Sequence, residues 1–224
     1  MNNKVILGDN MEYMRSCKDN QFSIGIVDPP YGGDDAIGLK DNKKKSKQAT
    51  DRTNYKVFKN IEPTIEYWEQ LFRMTKHQII WGANFYTKVN LAGGRLIWDK
   101  KGTAFGRAEE AYLSMTKSVN IFEYTWNGMI QQKMKNKENR IHPTQKPVDL
   151  YKHLLKTYAK PDDKIFDSHV GSGSIRIACH DMGFDFTGCE IDQDYYNAQE
   201  VRFKKHCQQG DLFSGTDLQE LIYE

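Results

Sequence analysis

What the 224-residue chain lacks narrows its class before any motif is considered. It has no excess of one charge: 32 Lys and Arg stand against 30 Asp and Glu, for a net charge of +2. A polycation that binds nucleic acid over its whole surface is excluded, so any such surface must come from local clustering. Its four cysteines, Cys17, Cys179, Cys189 and Cys207, form no Cys-x-x-Cys pair, and no histidine stands at zinc-finger spacing from them. That scatter fits reduced thiols in the cytoplasm and no metal site. No stretch reaches the roughly 20 apolar residues of a membrane span, and Met1 to Leu7 has no long apolar core. A soluble cytoplasmic protein with no membrane partner is expected. Internal repeats and long low-complexity tracts are absent too.

What is present fits one sizeable domain over residues 1–224. Four Trp, twelve Tyr and eleven Phe supply rings for stacking as well as packing. Strand-like runs occur at Lys4–Leu7, Phe22–Val27, Gln78–Gly82, Leu96–Trp98, Glu110–Met115, Ile121–Trp126, Lys164–Phe166 and Phe186–Cys189. Helical spacing joins Ile65, Trp68, Leu71 and Phe72 after Pro63, and Val148, Tyr151, Leu154, Leu155 and Tyr158 after Pro147. Further helices are predicted over Ser174–Met182 and from Asp192, a capping residue, to about His206. Strands alternating with helices predict an α/β sheet covered on both faces. The strands between Leu96 and Trp126 lack intervening helices and fit antiparallel neighbours at one sheet edge.

Residues 32–60 are polar, and after residue 39 their Lys40, Lys43, Lys44, Lys45, Lys47, Arg52, Lys56 and Lys59 face only Asp41 and Asp51. With little to bury, this segment reads as a mobile surface loop. Its charge run fits solvated surface, or a loop that closes on phosphates.

Two constellations carry chemistry. In Asp167 to Glu190, a strand enters Gly171-Ser172-Gly173, a helix follows, and the next strand ends in an acid. Glycines permit a tight turn and close ligand approach, the helix terminus favours anionic or polar groups, and the acid can hold ribose hydroxyls. Such turns also arise for structural reasons alone. The third glycine of a dinucleotide fingerprint and the lysine of a phosphate loop are both missing, so a small nucleoside fits better. The second constellation is Asp28-Pro29-Pro30-Tyr31 at a strand end. The prolines hold the chain extended and remove two donors, leaving carbonyl acceptors beside a carboxylate and a ring. This suits an amino group on a planar heterocycle, or simply a strand-terminating turn.

Together these motifs resemble the DNA amino-methyltransferases, which modify adenine N6 or cytosine N4. The likeness extends to Ile80-Trp81-Gly82-Ala83-Asn84-Phe85, Leu96-Ile97-Trp98-Asp99-Lys100, Ala108-Glu109-Glu110-Ala111-Tyr112 and Gly188-Cys189-Glu190-Ile191-Asp192 with Tyr195. His142-Pro143-Thr144-Gln145-Lys146-Pro147 is the most specific match. The motif order, catalytic first and cofactor last, is similar to the family's permuted β group. The resemblance implies a Rossmann-like methyltransferase fold, circularly permuted, with a mostly parallel seven-stranded sheet and one antiparallel strand.

It also implies S-adenosylmethionine as cofactor and direct methyl transfer to a base flipped out of double-stranded DNA. Asp28 and the Pro29 carbonyl would accept the amino N–H bonds, Pro30 would keep the turn extended, and Tyr31 would stack on the base. Asp28, Asp167, Ser168, Gly171 and Gly173 would flank the cofactor, Glu190 would bind the ribose, and Thr144, Gln145 and Lys146 would reach its carboxylate end. Asp9 resembles the residue that contacts the adenine amino group, with Gly210-Asp211 a decoy of the same dipeptide. Where the family has Pro and Phe after its motif I acid, this chain has Ser168 and His169; His169 either stacks in place of Phe or is a tolerated substitution. The leading Asp favours adenine N6 over cytosine N4. A noncatalytic nucleic-acid-binding subunit is the reading of a different class. Residues 126–140 form the small DNA-recognition segment, which implies a short or loosely defined target. A homodimer and a cognate restriction endonuclease are left open as partners.

Overall fold

A computed structural model describes residues 2–32, 60–102, 106–126 and 130–214, the last six as backbone only. The expected basic loop therefore lies outside the described residues except at its ends. Eight strands form one sheet in the order β1-β8-β7-β2-β3-β5-β4-β6. Their ranges are β1 Asn3–Leu7, β2 Phe22–Val27, β3 Thr75–Trp81, β4 Gly94–Asp99, β5 Ala108–Leu113, β6 Val119–Glu123, β7 Lys164–Asp167 and β8 Asp185–Glu190. The helices are α1 Asn10–Ser16, α2 Ile65–Met74, α3 Val148–Tyr158, α4 Ser174–Met182 and α5 Gln193–Ser214.

The sheet is α/β and mostly parallel, as expected, and only β5 runs against its neighbours β3 and β4. It has eight strands rather than seven, because β6 adds a parallel edge beside β4. The strands from Leu96 to Trp126 do sit at one edge, yet only one of their two pairings is antiparallel. The predicted strand Ile121–Trp126 starts earlier, at Val119, and ends at Glu123.

Period-two alternation builds the core. In β3, Ile79 and Trp81 face a cluster completed by Leu150 and Leu154 of α3 and by Ile175 and Ala178 of α4. Ile80 faces the other cluster, with Met14 of α1 and Tyr67, Trp68 and Leu71 of α2. On α2 the buried stripe is Tyr67, Trp68, Leu71 and Met74, whereas Ile65, expected inside, is 60% exposed. Thr64 caps this helix, its side chain accepting the Tyr67 N–H at 3.2 Å. Asp192 caps α5 as expected, accepting the Asp194 N–H at 2.9 Å, but the helix runs past His206 to Ser214. The short α1 was not anticipated; Asp9 caps it by accepting the Met11 N–H at 2.8 Å.

Strand order puts the switch point between β2 and β7: the chain leads from β2 to β3 on one side and from β7 to β8 on the other, where β1 forms the edge. Ligands of open α/β sheets bind at the carboxyl ends of strands at such a point. Asp28 follows β2 and Ser168 follows β7, so the two sequence constellations meet there. The pairing of Leu7 with Glu190 brings Gly8 and Asp9 to the same edge.

Candidate active site

At this edge lies a cavity of about 520 Å³, within the range of small-molecule sites. Asp9, the whole of Asp28 to Tyr31, Thr144 to Lys146, Ser168, Gly171 and Glu190 line it. The fold thus joins residues from both constellations. Two expected members do not line the cavity. Asp167 lies beneath it, 3% exposed, and accepts the His169 N–H at 2.9 Å. Burial first, then the charges of Asp28 and Glu190, push its carboxyl up to about 8. Gly173 instead begins α4 in the left-handed region, at φ +71, facing the Gln199 side chain.

The glycine turn and the acid are locked together. Gly171, at φ +51, donates its N–H to Glu190 Oε2 at 2.8 Å, and the Asp192 N–H reaches Glu190 Oε1 at 2.9 Å. Burial raises the pKa of this carboxyl. The Ile191 backbone also supports the carboxylate, which still leaves it an acceptor position.

Asp28 is held from two sides. The Tyr31 hydroxyl donates to Oδ1 at 2.7 Å, and the Lys146 ammonium donates to Oδ2 at 2.5 Å. The Lys146 side chain is only 3% exposed and also pairs with Glu109 Oε2 at 3.1 Å. Burial opposes its charge, but the two carboxylates outweigh that and raise its pKa. Glu109 in turn pairs with Lys100. Burial opposes the Glu109 charge as well, yet Lys146 and Lys100 bring its pKa down to about 2. Lys146 therefore belongs to a charge chain ending on Asp28.

Other groups of the site already have partners within the chain. The Pro29 carbonyl is buried and already accepts the Tyr86 hydroxyl at 2.8 Å, so it is not a free acceptor pair. The Tyr31 ring lies parallel to Phe85, with centroids 4.8 Å apart, so one face is covered. Close packing under that ring requires Gly82, whose φ is +72 and whose missing Cβ would fall 2.2 Å from Tyr31 Cε1. Gln145 is buried, and its Oε1 accepts the Ile141 N–H at 2.9 Å. Thr144 Oγ1 lies 3.1 Å from His142 Nδ1. Burial, then the charges of Lys146 and Arg140, bring His142 down to about 4, leaving its ring neutral against Tyr195.

Ser168 and His169 form a polar relay. Asn10 Nδ2 lies 3.1 Å from His169 Nε2, and His169 Nδ1 lies 2.8 Å from Ser168 Oγ. Ser168 Oγ meets the Tyr67 hydroxyl at 2.6 Å. The amide of Asn10 can only donate through that nitrogen, so Nε2 accepts and Nδ1 carries the proton. Desolvation lowers the ring to about 4, which keeps it neutral. The Ser168-His169 pair that stands in place of Pro-Phe is thus hydrogen-bonded on both sides.

Asn10, Ile191, Asp192 and Tyr195 also line the cavity. Asn10 carried no local signal beyond its place after Gly8-Asp9. Trp126, placed in the recognition segment, is 5% exposed and donates its indole N–H to the Gln145 carbonyl at 2.9 Å. It braces the loop bearing Lys146. Among the described residues, His180, Asp181 and His206 bring metal-type donors together outside the cavity. The Asp181 carboxylate there is engaged by His206 at 2.6 Å and Lys152 at 2.5 Å.

Comparison with known proteins agrees with this geometry. YubD of Escherichia coli (strain K12) is 24% identical over 212 residues, covering 89% of each chain. The type II methyltransferase M.HinfI of Haemophilus influenzae is 22% identical over 255 residues, covering 91% of this chain and 68% of its own. Among solved structures, the PvuII DNA methyltransferase (cytosine-N4-specific) superposes with a TM-score of 0.59 at 13% identity, covering 93% of this chain and 91% of its own. The M1.HpyAVI–SAM complex gives 0.52 at 17% identity, covering 89% and 98%. These structures establish the fold. Residues 98–201, which include Lys146, the glycine turn and Glu190, match the N6/N4 DNA methylase family model, described as DNA methylase. Together with relatives that align over nearly the whole chain, this match makes the protein similar to the N6/N4 DNA methylases.

Proposed function

We propose that this chain is an S-adenosylmethionine-dependent DNA methyltransferase acting on adenine N6. The observation that carries the reading is the Asp28 carboxylate, fixed by Tyr31 and Lys146 in the same cavity as the Gly171–Glu190 pair. The cavity fits the cofactor: its volume suits a nucleoside-sized ligand, and its wall is a left-handed glycine turn tied to an acid. Glu190 would hold the ribose hydroxyls through its remaining acceptor capacity. Asp9 and Asn10 at one rim and His142 and Thr144 at the other would bound the ligand. When bound, S-adenosylmethionine supplies an activated methyl group on a cationic sulfur.

The chain's own residues prepare the nitrogen. An exocyclic amino lone pair is delocalised into its ring and is a poor nucleophile. An N–H donated to Asp28 draws the nitrogen toward tetrahedral geometry, and the carboxylate stabilises its developing positive charge. The same carboxylate is placed to receive the departing proton. The remaining lone pair of the Pro29 carbonyl supports the second N–H. Tyr31 and Phe85 form an aromatic wall for the base, with Phe85 51% exposed. Release of the base from a duplex costs about a few kcal/mol.

Adenine is favoured because Asp leads the tetrapeptide. The basic stretch within 32–60 and residues 126–140 would meet DNA; in the latter, Lys133, Lys135 and Lys137 are exposed. So small a surface favours a short or loosely defined target. The test is tritiated methyl transfer to DNA followed by nucleoside analysis. N6-methyladenine is expected. N4-methylcytosine would move the reading to the cytosine branch. No incorporation by folded, cofactor-saturated protein would refute the enzyme and leave a binding subunit.

A further inference from the structure

A lysine buried beside the catalytic carboxylate poses an electrostatic problem. The proposed cofactor is a cation, and the amino nitrogen gains positive charge as it reacts. Lys146 alone would cancel Asp28 and repel both. The structure supplies a remedy from another strand. Glu109 of β5 reaches Lys146 Nζ at 3.1 Å while Asp28 holds the same nitrogen at 2.5 Å. Lys146 thus stands between two carboxylates, with the Trp81 ring face 5.1 Å from its nitrogen adding further cation stabilisation. Glu109 does not line the cavity, so it cannot act by touching the ligand.

We propose that Glu109 is a positioning and charge-balancing residue: it takes up the Lys146 charge, so that Lys146 orients Asp28 without neutralising it toward a cationic ligand. Lys100, paired with Glu109 on the outer side and 13% exposed, sets how much of that compensation reaches Lys146. The inference rests on the cofactor reading of the cavity. It makes two predictions of opposite sign. Glu109→Gln keeps the side-chain shape and removes the compensating charge. Lys100→Met removes a competitor for Glu109 at a more accessible position.

The experiment is calorimetric titration of the whole protein with S-adenosylmethionine, which is cationic, and with S-adenosylhomocysteine, its neutral thioether product. Their affinity ratio reports the charge at the site and is indifferent to a general loosening of the fold. For Glu109→Gln the ratio should shift against the cation by about tenfold, the size of one charge roughly 12 Å away at an effective dielectric near 20. Lys100→Met should shift it several-fold in favour of the cation. Exposed Glu123, paired with Lys101 at 2.5 Å, provides the control: Glu123→Gln should leave the ratio unchanged. If Glu109→Gln weakens both ligands equally or neither, the charge-balancing role is wrong. A Lys100→Met ratio that stays fixed or falls overturns it independently, including where Glu109→Gln does not fold. If wild-type protein binds neither ligand, the cofactor reading itself fails, which is a separate outcome.

Discussion

Gly82→Ala should cost far more than one methyl group implies. Gly82 has φ +72, a left-handed conformation that costs an L-residue about 1–2 kcal/mol. The added Cβ would also fall 2.2 Å from Tyr31 Cε1, 2.5 Å from Cδ1 and 2.8 Å from Cζ. That ring cannot simply step aside. It is stacked on Phe85, edges Tyr86, and is tethered by its hydroxyl to Asp28. Forced overpacking of this kind costs about 1–3 kcal/mol. The two effects sum to about 2–5 kcal/mol, or a melting-temperature loss of roughly 4–20 °C for a chain of this size. Gly183→Ala is the matched comparison: its φ is +78, and nothing lies within 4 Å of the added Cβ. It should show the conformational cost alone and leave methyl transfer intact. Gly82→Ala should lower the methyl-transfer rate by about tenfold or more, because the displaced ring drags its hydroxyl from Asp28. Adding Tyr31→Ala should recover part of the lost stability without activity, a coupling visible in a double-mutant cycle of thermal melts. Gly82→Ala that melts and methylates like Gly183→Ala would show that the ring is not held as described.

Further outcomes concern the acids and the basic segment. Asp167 keeps its proton up to about pH 8 when folded, whereas an unfolded Asp ionises near pH 3.9. The folded chain therefore binds the extra proton between those values, so this group's contribution to stability falls as pH rises from about 4 to about 8. Asp167→Asn preserves an acceptor for His169, so its melting temperature should match wild type near pH 4 and exceed it at pH 8; equal shifts at both values would contradict the buried acid. Glu190→Gln turns an amide donor toward one of two backbone N–H groups and should weaken S-adenosylmethionine about tenfold or more by calorimetry. Unchanged affinity would remove Glu190 from the site. Replacing Lys43, Lys44, Lys45 and Lys47, which lie outside the described residues, should weaken DNA binding and flatten its salt dependence. A salt slope equal to wild type would leave them as solvated surface.

The sequence revealed what is local. Alternation in Ile79-Ile80-Trp81 and the four-residue spacing of α3 report burial directly, because neighbouring positions share one geometry. The glycine turn and its following acid were legible for the same reason. Pairings across the fold were not. Lys146 and Asp28 are 118 residues apart, and nothing near either position announces the ion pair. Glu109 showed as part of a strand, not as a charge partner. The buried Pro29–Tyr86 bond was equally hidden, as it depends on how the turn after β3 folds back. The helix α1 was missed because its seven residues carry too short a pattern, and its cap, Asp9, read only as a cofactor contact. On α2 the true stripe includes Tyr67 and Met74, which a tally of aliphatic spacing passes over.

Gly32 and Asn60 exchange two hydrogen bonds, at 3.1 and 2.8 Å, where the chain leaves and rejoins the described structure. Glu62, packed under Gly32, accepts the backbone N–H groups of Thr87 and Lys88 and ties this junction to the segment after β3. The consequence is a shared anchor. Gly32 follows Tyr31 directly, and Glu62 binds the backbone just after Phe85 and Tyr86, so both aromatic partners of the Tyr31 ring and the approach to α2 are tied to one point. A change at Asn60 or Glu62 would therefore reach the ring from both sides at once.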